Sequence, residues 1–326
     1  FDTINHVLNQ LHPAPYSSWD DVQPQLGGQI LSMFHKNPRL SCRCDRDHSL
    51  WVLPFGNWLE QGDKGEQFGF KAISQGIAVG CDRAVGENWA LGLGGVWDES
   101  DLTLHSGIGS GSANRYLGAF YIDYMIDSFY MGISGYGGWG DYHMTRHVHF
   151  PFVSLYPKGE FQTIEAAGQL QVAWLIGSPA AYFYPYANAD FFYTHYRSFT
   201  EKDAGPINLS VENRSVQSVR TEAGVAFQIQ DTNEYETVCL SPLFGMGWAM
   251  ECPISRPHFK AYFADEPIGF FARGWNHTWH LLTLDFGLQI SYVNFTVFGS
   301  YHADMSLQGR SDFWGQRGEI GLNIGW

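Results

Sequence analysis

His143, His147 and His149 share one parity beside a polar connection, and His277 and His280 flank another. Imidazoles so grouped could bind a metal or serve as general bases. A metal site also needs a defined coordination shell, and no adjacent acidic motif completes either group. A lipid-edge hydrolase needs Ser and His with an orienting polar group, and a rim protease needs Asp with His. Neither constellation is spelled out, so these histidines read as loop or interfacial side chains. Gly107-Ile-Gly-Ser-Gly-Ser112 lacks the following Lys and helix that a phosphate-cradling loop requires, and reads as a flexible external loop. No catalytic residue, metal ligand or cofactor is assigned, and the chain is expected not to be an enzyme. A hydrolase is the remote alternative.

The remaining polar residues fall into a pattern. Glu165, Arg220, Glu222, Asp285, Arg317 and Glu319 each alternate with apolar neighbours. From Trp279 to Tyr292, His280, Leu282, Leu284, Phe286, Leu288, Ile290 and Tyr292 form one face. Leu281, Thr283, Asp285, Gly287, Gln289 and Ser291 form the other. Ile164, Leu170, Val172 and Trp174 oppose Glu165, Gln169 and Gln171, while Val219, Val225, Phe227 and Ile229 oppose Arg220, Glu222 and Gln228. At the C-terminus Ile320, Leu322, Ile324 and Trp326 oppose Arg317, Glu319 and Asn323. One such strand fits a soluble sandwich as well as a barrel wall between lipid and water. A buried strand, however, rarely turns Asp, Gln and Ser inward.

Period-two segments recur about twelve times, near 50–60, 69–83, 88–104, 114–126, 128–146, 160–177, 181–199, 216–230, 236–252, 275–292, 294–306 and 312–326. Their connections alternate in length. Short ones fall at 86–88, 127–128, 177–180, 231–234 and around Val293; long ones fall at 61–68, 105–113, 147–159, 200–215 and 253–274. Outer-membrane barrels have short periplasmic turns and longer external loops, so both ends of the wall are expected on the periplasmic side. The fold class is therefore all-β transmembrane: an antiparallel outer-membrane barrel of about twelve strands at 50–326, with residues 1–49 as a linker and helix.

Composition agrees. Charged residues make up 16% and aromatics another 16%, with 37 glycines; an average globular chain has about 25% charged residues. No apolar run is long enough for a transmembrane helix. The net charge of −14 disfavours nucleic acid, whose phosphates require basic patches. The chain begins at Phe1 without a signal peptide, as expected of a processed chain or a fragment of a longer one. Five cysteines, Cys42, Cys44, Cys81, Cys239 and Cys252, are an odd number. At least one is therefore left unpaired within the chain or available to another chain.

Ahead of the first strand, residues 16–34 read as a helix. Ser17 or Ser18 can cap it, and Asp20 and Asp21 suit its positive end. Eighteen or so residues would span about 27 Å, close to the hydrocarbon thickness. Asp20, Asp21, Gln23, Gln25 and Gln29 exclude contact with lipid, so Trp19, Asp20, Val22, Leu26 and Ile30 are expected inside the barrel lumen. A periplasmic helix is the alternative. Pro24 and Gly27-Gly28 suggest a kink or a split. The Arg220/Glu222 and Arg317/Glu319 pairs would point inward, either as partners of the helix or as simple lumen solvation.

The helix and three following segments together resemble the β-domain of an autotransporter, a type V secretion translocator. These segments are Leu50-Trp-Val-Leu-Pro-Phe-Gly-Asn-Trp58, Gly76-Ile-Ala-Val-Gly-Cys-Asp82 and Trp89-Ala-Leu-Gly-Leu-Gly-Gly95. Tyr184-Pro-Tyr-Ala187, Arg220-Thr-Glu-Ala-Gly224 and the terminal aromatic strand extend the resemblance to nearly the whole chain. The Cys-rich lead-in is similar to the polymorphic outer-membrane protein branch. The resemblance implies a Gram-negative outer-membrane location and a barrel that exports or anchors a covalently attached upstream passenger. It also implies insertion by the barrel assembly machinery through a signal at Ile320, Leu322, Ile324 and Trp326, where the family usually ends in Phe. Outer-membrane lipid is the further partner, and intermolecular disulfides are open. No Asn-Asn pair lies in the helix, so intrabarrel self-cleavage is not carried over. A passive pore or surface adhesin is the alternative function.

Overall fold

The computed structural model describes residues 10–35, 48–63, 68–150, 152–178, 180–230, 238–255, 258–264, 266, 269–274, 277–308 and 313–326. Twelve long strands form the wall. They are β1 (His48–Gln61), β2 (Phe70–Val85), β3 (Trp89–Leu104), β4 (Gly109–Ile126), β5 (Phe129–Arg146), β6 (Lys158–Trp174), β7 (Ala181–Tyr196), β8 (Arg214–Ile229), β9 (Val238–Pro253), β10 (Trp279–Tyr292), β11 (Phe295–Ser306) and β12 (Phe313–Gly325). Each pairs antiparallel with its neighbours, and β12 returns to β1 with Leu50 opposite Ile324 and Gln61 opposite Phe313. The terminal residue fastens this seam, since the N–H of Trp326 donates to the His48 carbonyl at 3.0 Å and the N–H of His48 donates back at 3.2 Å. Closure leaves the wall without an edge.

The period-two pattern dictates which way each side chain points. Leu282, Phe286, Leu288, Ile290 and Tyr292 face out, as do Ile320, Leu322 and Trp326, while Thr283, Ser291, Glu319 and Asn323 are buried inside. Trp89 and Trp97 of β3 are both exposed, with Leu91 and Leu93 between them. At about 3.3 Å per residue their eight-residue separation is roughly 26 Å along the strand, suited to an apolar band with aromatic rims. Tyr116 stacks on Trp139 at 5.9 Å between ring centroids to continue the rim across β4 and β5.

Three features differ from the sequence expectations. First, β4 starts at Gly109, so the connection from β3 is short, with a 310 turn at His105–Gly107, and most of the glycine-serine stretch is strand rather than loop. A Cβ on Gly111 would stand 2.7 Å from the His143 carbonyl and 2.8 Å from the Met144 sulfur of β5, with the Trp19 ring of the helix at 3.3 Å, so glycine here fits between the neighbouring strand and the helix. Second, the long connections build structure of their own. Val148–Phe150 and Val153–Leu155 form a hairpin, while Phe199–Thr200, Leu209–Val211, His258–Phe263 and Gly269–Arg273 form a four-stranded sheet. Third, α1 (Ser18–His35) is one continuous helix through Pro24 and the two glycines, preceded by a 310 turn at Ala14–Ser17. Pro24 removes one backbone donor, but tertiary contacts outweigh that loss. The Ser17 hydroxyl donates to the Ala14 carbonyl at 2.7 Å, within the preceding turn. The short connection at 231–234 and the Cys42/Cys44 pair lie outside the described residues.

Candidate functional site: the lumen and its helix

α1 lies inside the barrel. Trp19, Asp20, Val22, Leu26 and Ile30 are all fully buried, as are Asp21, Gln23, Gln25 and Gln29. A helix buried on every side is normally apolar all round. This one instead supplies polar groups that are met by the wall, because an unpaired buried amide or carboxylate costs about 1–3 kcal/mol or more.

Arg115 of β4 binds both carboxylate oxygens of Asp98 on β3, at 2.9 Å each. Its third contact donates to the Gln23 side-chain oxygen at 2.9 Å and to Glu165 at 3.3 Å. Glu165 also accepts from the hydroxyls of Tyr142 and Thr163, at 2.9 Å each, and from the Gln23 amide at 3.3 Å. Arg214, at the start of β8, donates to Asp20 at 2.6 Å and to the Tyr16 carbonyl at 2.9 Å. Arg146, at the end of β5, grips Glu201 at 2.6 and 2.7 Å, and the Tyr16 hydroxyl donates to the same carboxylate at 2.6 Å. On the opposite wall, Arg220 binds both oxygens of Asp304 at 2.9 and 3.2 Å and donates to Gln25 at 3.1 Å. The Gln25 amide passes the connection on to Glu251 at 2.5 Å. Asn57 and the Gly56 carbonyl hold Gln29 at 3.2 and 3.3 Å.

Around the first turns of α1 these pairs are sealed by an apolar cluster. Tyr16, Trp19, Val22 and Leu26 pack with Phe70, Leu104, Tyr142, Phe161, Tyr196 and Trp279. Trp19 meets Tyr142 edge-on at 5.0 Å. A second, smaller cluster sits at the other end, where Phe34 contacts Trp51 and Tyr121, each at 5.6 Å. Beside Gly28, Gln29 and Ser32 the helix does not fill the lumen. There remains a cavity of about 240 Å³, whose lining includes Asp190, Glu222, Asp285, His302 and Arg317. His302 bridges Asp285 at 2.6 Å and Asp304 at 2.9 Å, linking the cavity wall to the Arg220 clamp.

The six wall residues singled out in the sequence all face inward, but they are not equivalent. Glu165 and Arg220 touch polar groups of the helix. Arg220 also approaches Glu222 at 3.4 Å, but its shorter bonds go to Asp304. Glu222 accepts from Tyr186 at 2.8 Å and Asp285 accepts from His302. Glu319 accepts from Ser300 at 2.7 Å, while Arg317 lines the cavity with its Nε unpartnered. Neither makes the in-strand Arg317–Glu319 pair that spacing suggests. Parity could have flagged Asp98 and Arg115. Arg146, Glu201 and Arg214 carry no such signal, since they lie at strand ends and in a loop.

The histidine groups are taken up locally. His147 Nδ1 contacts the Gly107 carbonyl at 2.8 Å, and His149 Nδ1 contacts the Ser154 hydroxyl at 3.0 Å. His277 lies edge-on to Trp279, and His280 stacks on Trp248. Cys239 is disulfide-bonded, whereas Cys81, exposed on the outer face, and Cys252 are free thiols.

A closed barrel with an apolar exterior and a helix clamped in its lumen defines a translocator-type outer-membrane protein. The family model for the autotransporter β-domain matches residues 50–302, and the chain belongs to that family; it is an outer-membrane β-barrel translocator for passenger export. The translocator domain of the autotransporter NalP from Neisseria meningitidis is similar over 97% of this chain and 100% of that one, with a TM-score of 0.72 at 12% identity. The β-domain of the Bordetella autotransporter BrkA covers 86% of this chain and 100% of its own, at TM-score 0.61 and 13% identity. The transport unit of AIDA-I from Escherichia coli covers 97% and 99%, at 0.56 and 12%. At these identities the likeness concerns the fold. No curated protein matches the chain.

Proposed function

We propose that α1 is the resting plug of this translocator: the upstream passenger passes outward, and residues 18–35 then occupy the lumen. The observation that carries this reading is the set of wall clamps on Asp20, Gln23 and Gln25, which suit a segment seated in the barrel. In this reading residues 1–49 are the linker and plug, and 50–326 the wall. Both ends of the wall are periplasmic, on the side of the short turns. Glu165, Arg220, Glu222, Asp285, Arg317 and Glu319 form the polar lumen wall. Ile320, Leu322, Ile324 and Trp326 form the face offered to lipid and to the barrel assembly machinery. The unit transports without catalysing a reaction, binds no nucleic acid, and requires no metal or cofactor. Disulfides to another chain stay open, with Cys81 and Cys252 the free thiols among the described residues.

An epitope placed before Phe1, behind a secretory signal, tests this directly. Surface labelling and protease access on intact cells are expected. An inserted barrel whose epitope stays periplasmic would overturn the outward path and favour a passive pore or adhesin.

A further inference from the structure

The cavity beside the second half of α1 holds a cation without a partner. Arg317 of β12 makes no hydrogen bond and no ion pair among the described residues, and its Nε is buried without an acceptor. Its guanidinium lies against the helix, since a Cβ on Gly28 would stand 3.8 Å from Nη1. An arginine so placed is costly unless an anion or water meets it. Five strands round the wall, β7 carries the converse. The Asn188 side-chain oxygen is buried without a donor, and Asp190 follows two residues later on the same inward face. The cavity thus offers an unmet donor on one wall and an unmet acceptor on another.

Size and charge select the occupant. The volume is about 240 Å³, and a cavity of about 150 Å³ already admits a benzene-sized molecule. Asp190, Glu222, Asp285 and Glu319 all line it. The other two basic groups on the lining are engaged. Arg220 pairs with Asp304 at 2.9 Å and Glu222 at 3.4 Å, and His302 lies between Asp285 at 2.6 Å and Asp304 at 2.9 Å. A simple anion on Arg317 would sit among four carboxylates, and a bare metal ion on the carboxylates would stand beside an unpaired guanidinium; like charges disfavour both. A molecule with a carboxylate at one end and ammonium groups at the other meets Arg317 and Asn188 together. Tyr184 also lines the space, and an aromatic ring suits the methylene stem of such a molecule.

We propose that this cavity binds a small zwitterion with surplus positive charge, the class of a free cationic amino acid. Its carboxylate pairs with the Arg317 guanidinium, its ammonium groups donate to Asn188 and Asp190, and its stem crosses the cavity along Tyr184. Bound there, it ties β12 to β7 beside Gly28, in the half of the lumen that the helix leaves unfilled. The lining reaches Leu175, in the short connection after β6, so the ligand enters from the side of the short turns. That this side is the periplasm rests on the topology proposed above.

Titration calorimetry on the full chain, folded in detergent micelles, tests the site without requiring transport, with L-lysine as the probe. Lysine should bind saturably. Cadaverine, which lacks the carboxylate, and L-norleucine, which lacks the side-chain ammonium, should each bind at least about tenfold more weakly, because each loses one charge-assisted contact. Arg317→Met should abolish the advantage of lysine over cadaverine without weakening cadaverine. No saturable binding of lysine up to about 10 mM, equal affinity for lysine and cadaverine, or an advantage that survives Arg317→Met would overturn the proposal. The comparison of the three probes uses the unmodified protein and stands even if Arg317→Met fails to fold. Failure of surface labelling would remove the export reading while leaving the titration to decide the site.

Discussion

The two halves of the lumen are built differently. Near the long connections the helix is surrounded. Trp19 is fully buried among aromatic rings, and Arg115, Arg146 and Arg214 each satisfy a buried carboxylate. Near the short turns one side of the same helix faces a polar cavity, with Arg317 on its wall. Burial makes an ion pair costly to break, because the surviving charge is stranded away from water. Beside a cavity the same loss is relieved by hydration. The seal therefore belongs to the first half, and the second is a vestibule that can hold water.

The comparison is most severely tested by removing the helix. Deleting residues 1–35 should raise single-channel conductance in planar bilayers by about tenfold or more, since a lumen-filling element is lost. An unchanged conductance would mean that α1 seals nothing. Next, Arg115→Ala should destabilise the folded barrel by about 3–5 kcal/mol in urea unfolding, because Asp98 and Glu165 lose their buried cation. Arg317→Ala, at the cavity, should cost no more than about 0.5 kcal/mol. Equal losses would dissolve the distinction between sealed and open halves.

Two adjacent glycines sharpen it further. A Cβ on Gly27 would meet the Tyr136 hydroxyl at 2.5 Å and the Phe192 ring at 2.7 Å, whereas on Gly28 the nearest atom stands 3.8 Å away. Gly27→Ala should therefore lower stability by about 1–3 kcal/mol through overpacking. Gly28→Ala should raise it by about 0.5–1 kcal/mol, since alanine favours the helix. Thermal unfolding of the pair reads out the difference, and a loss at Gly28 would show that the cavity side is tighter than its geometry.

Much of the wall was legible because alternation is a local property. Lipid outside and polar groups inside impose period two on each strand, so β10 and β12 could be read residue by residue. The lumen helix was legible for a similar reason: Asp20, Gln23 and Gln25 in an eighteen-residue helix exclude lipid on every turn. Local signals failed where packing intervened. Glycines 109 and 111 look like loop residues, yet they pair with Arg146 and Met144 in the wall, where a Cβ would run into the Thr145 and His143 carbonyls of the neighbouring strand. The helix keeps its course through Pro24 because Val22, Gln23, Gln25 and Leu26 on either side of it are held by the wall.

Sequence by itself determined the strand count, the direction of each side chain and the need for an enclosed helix, since these follow from short-range periodicity and the chemistry of lipid and water. Only the tertiary structure decided the partners. Arg220 chooses Asp304, 84 residues away, over Glu222 two residues along its own strand. Arg146 finds Glu201 in a loop, and Arg317 is left at the cavity. Closing the barrel brings distant strands onto one helix, and no spacing along the chain encodes which charges then stand closest.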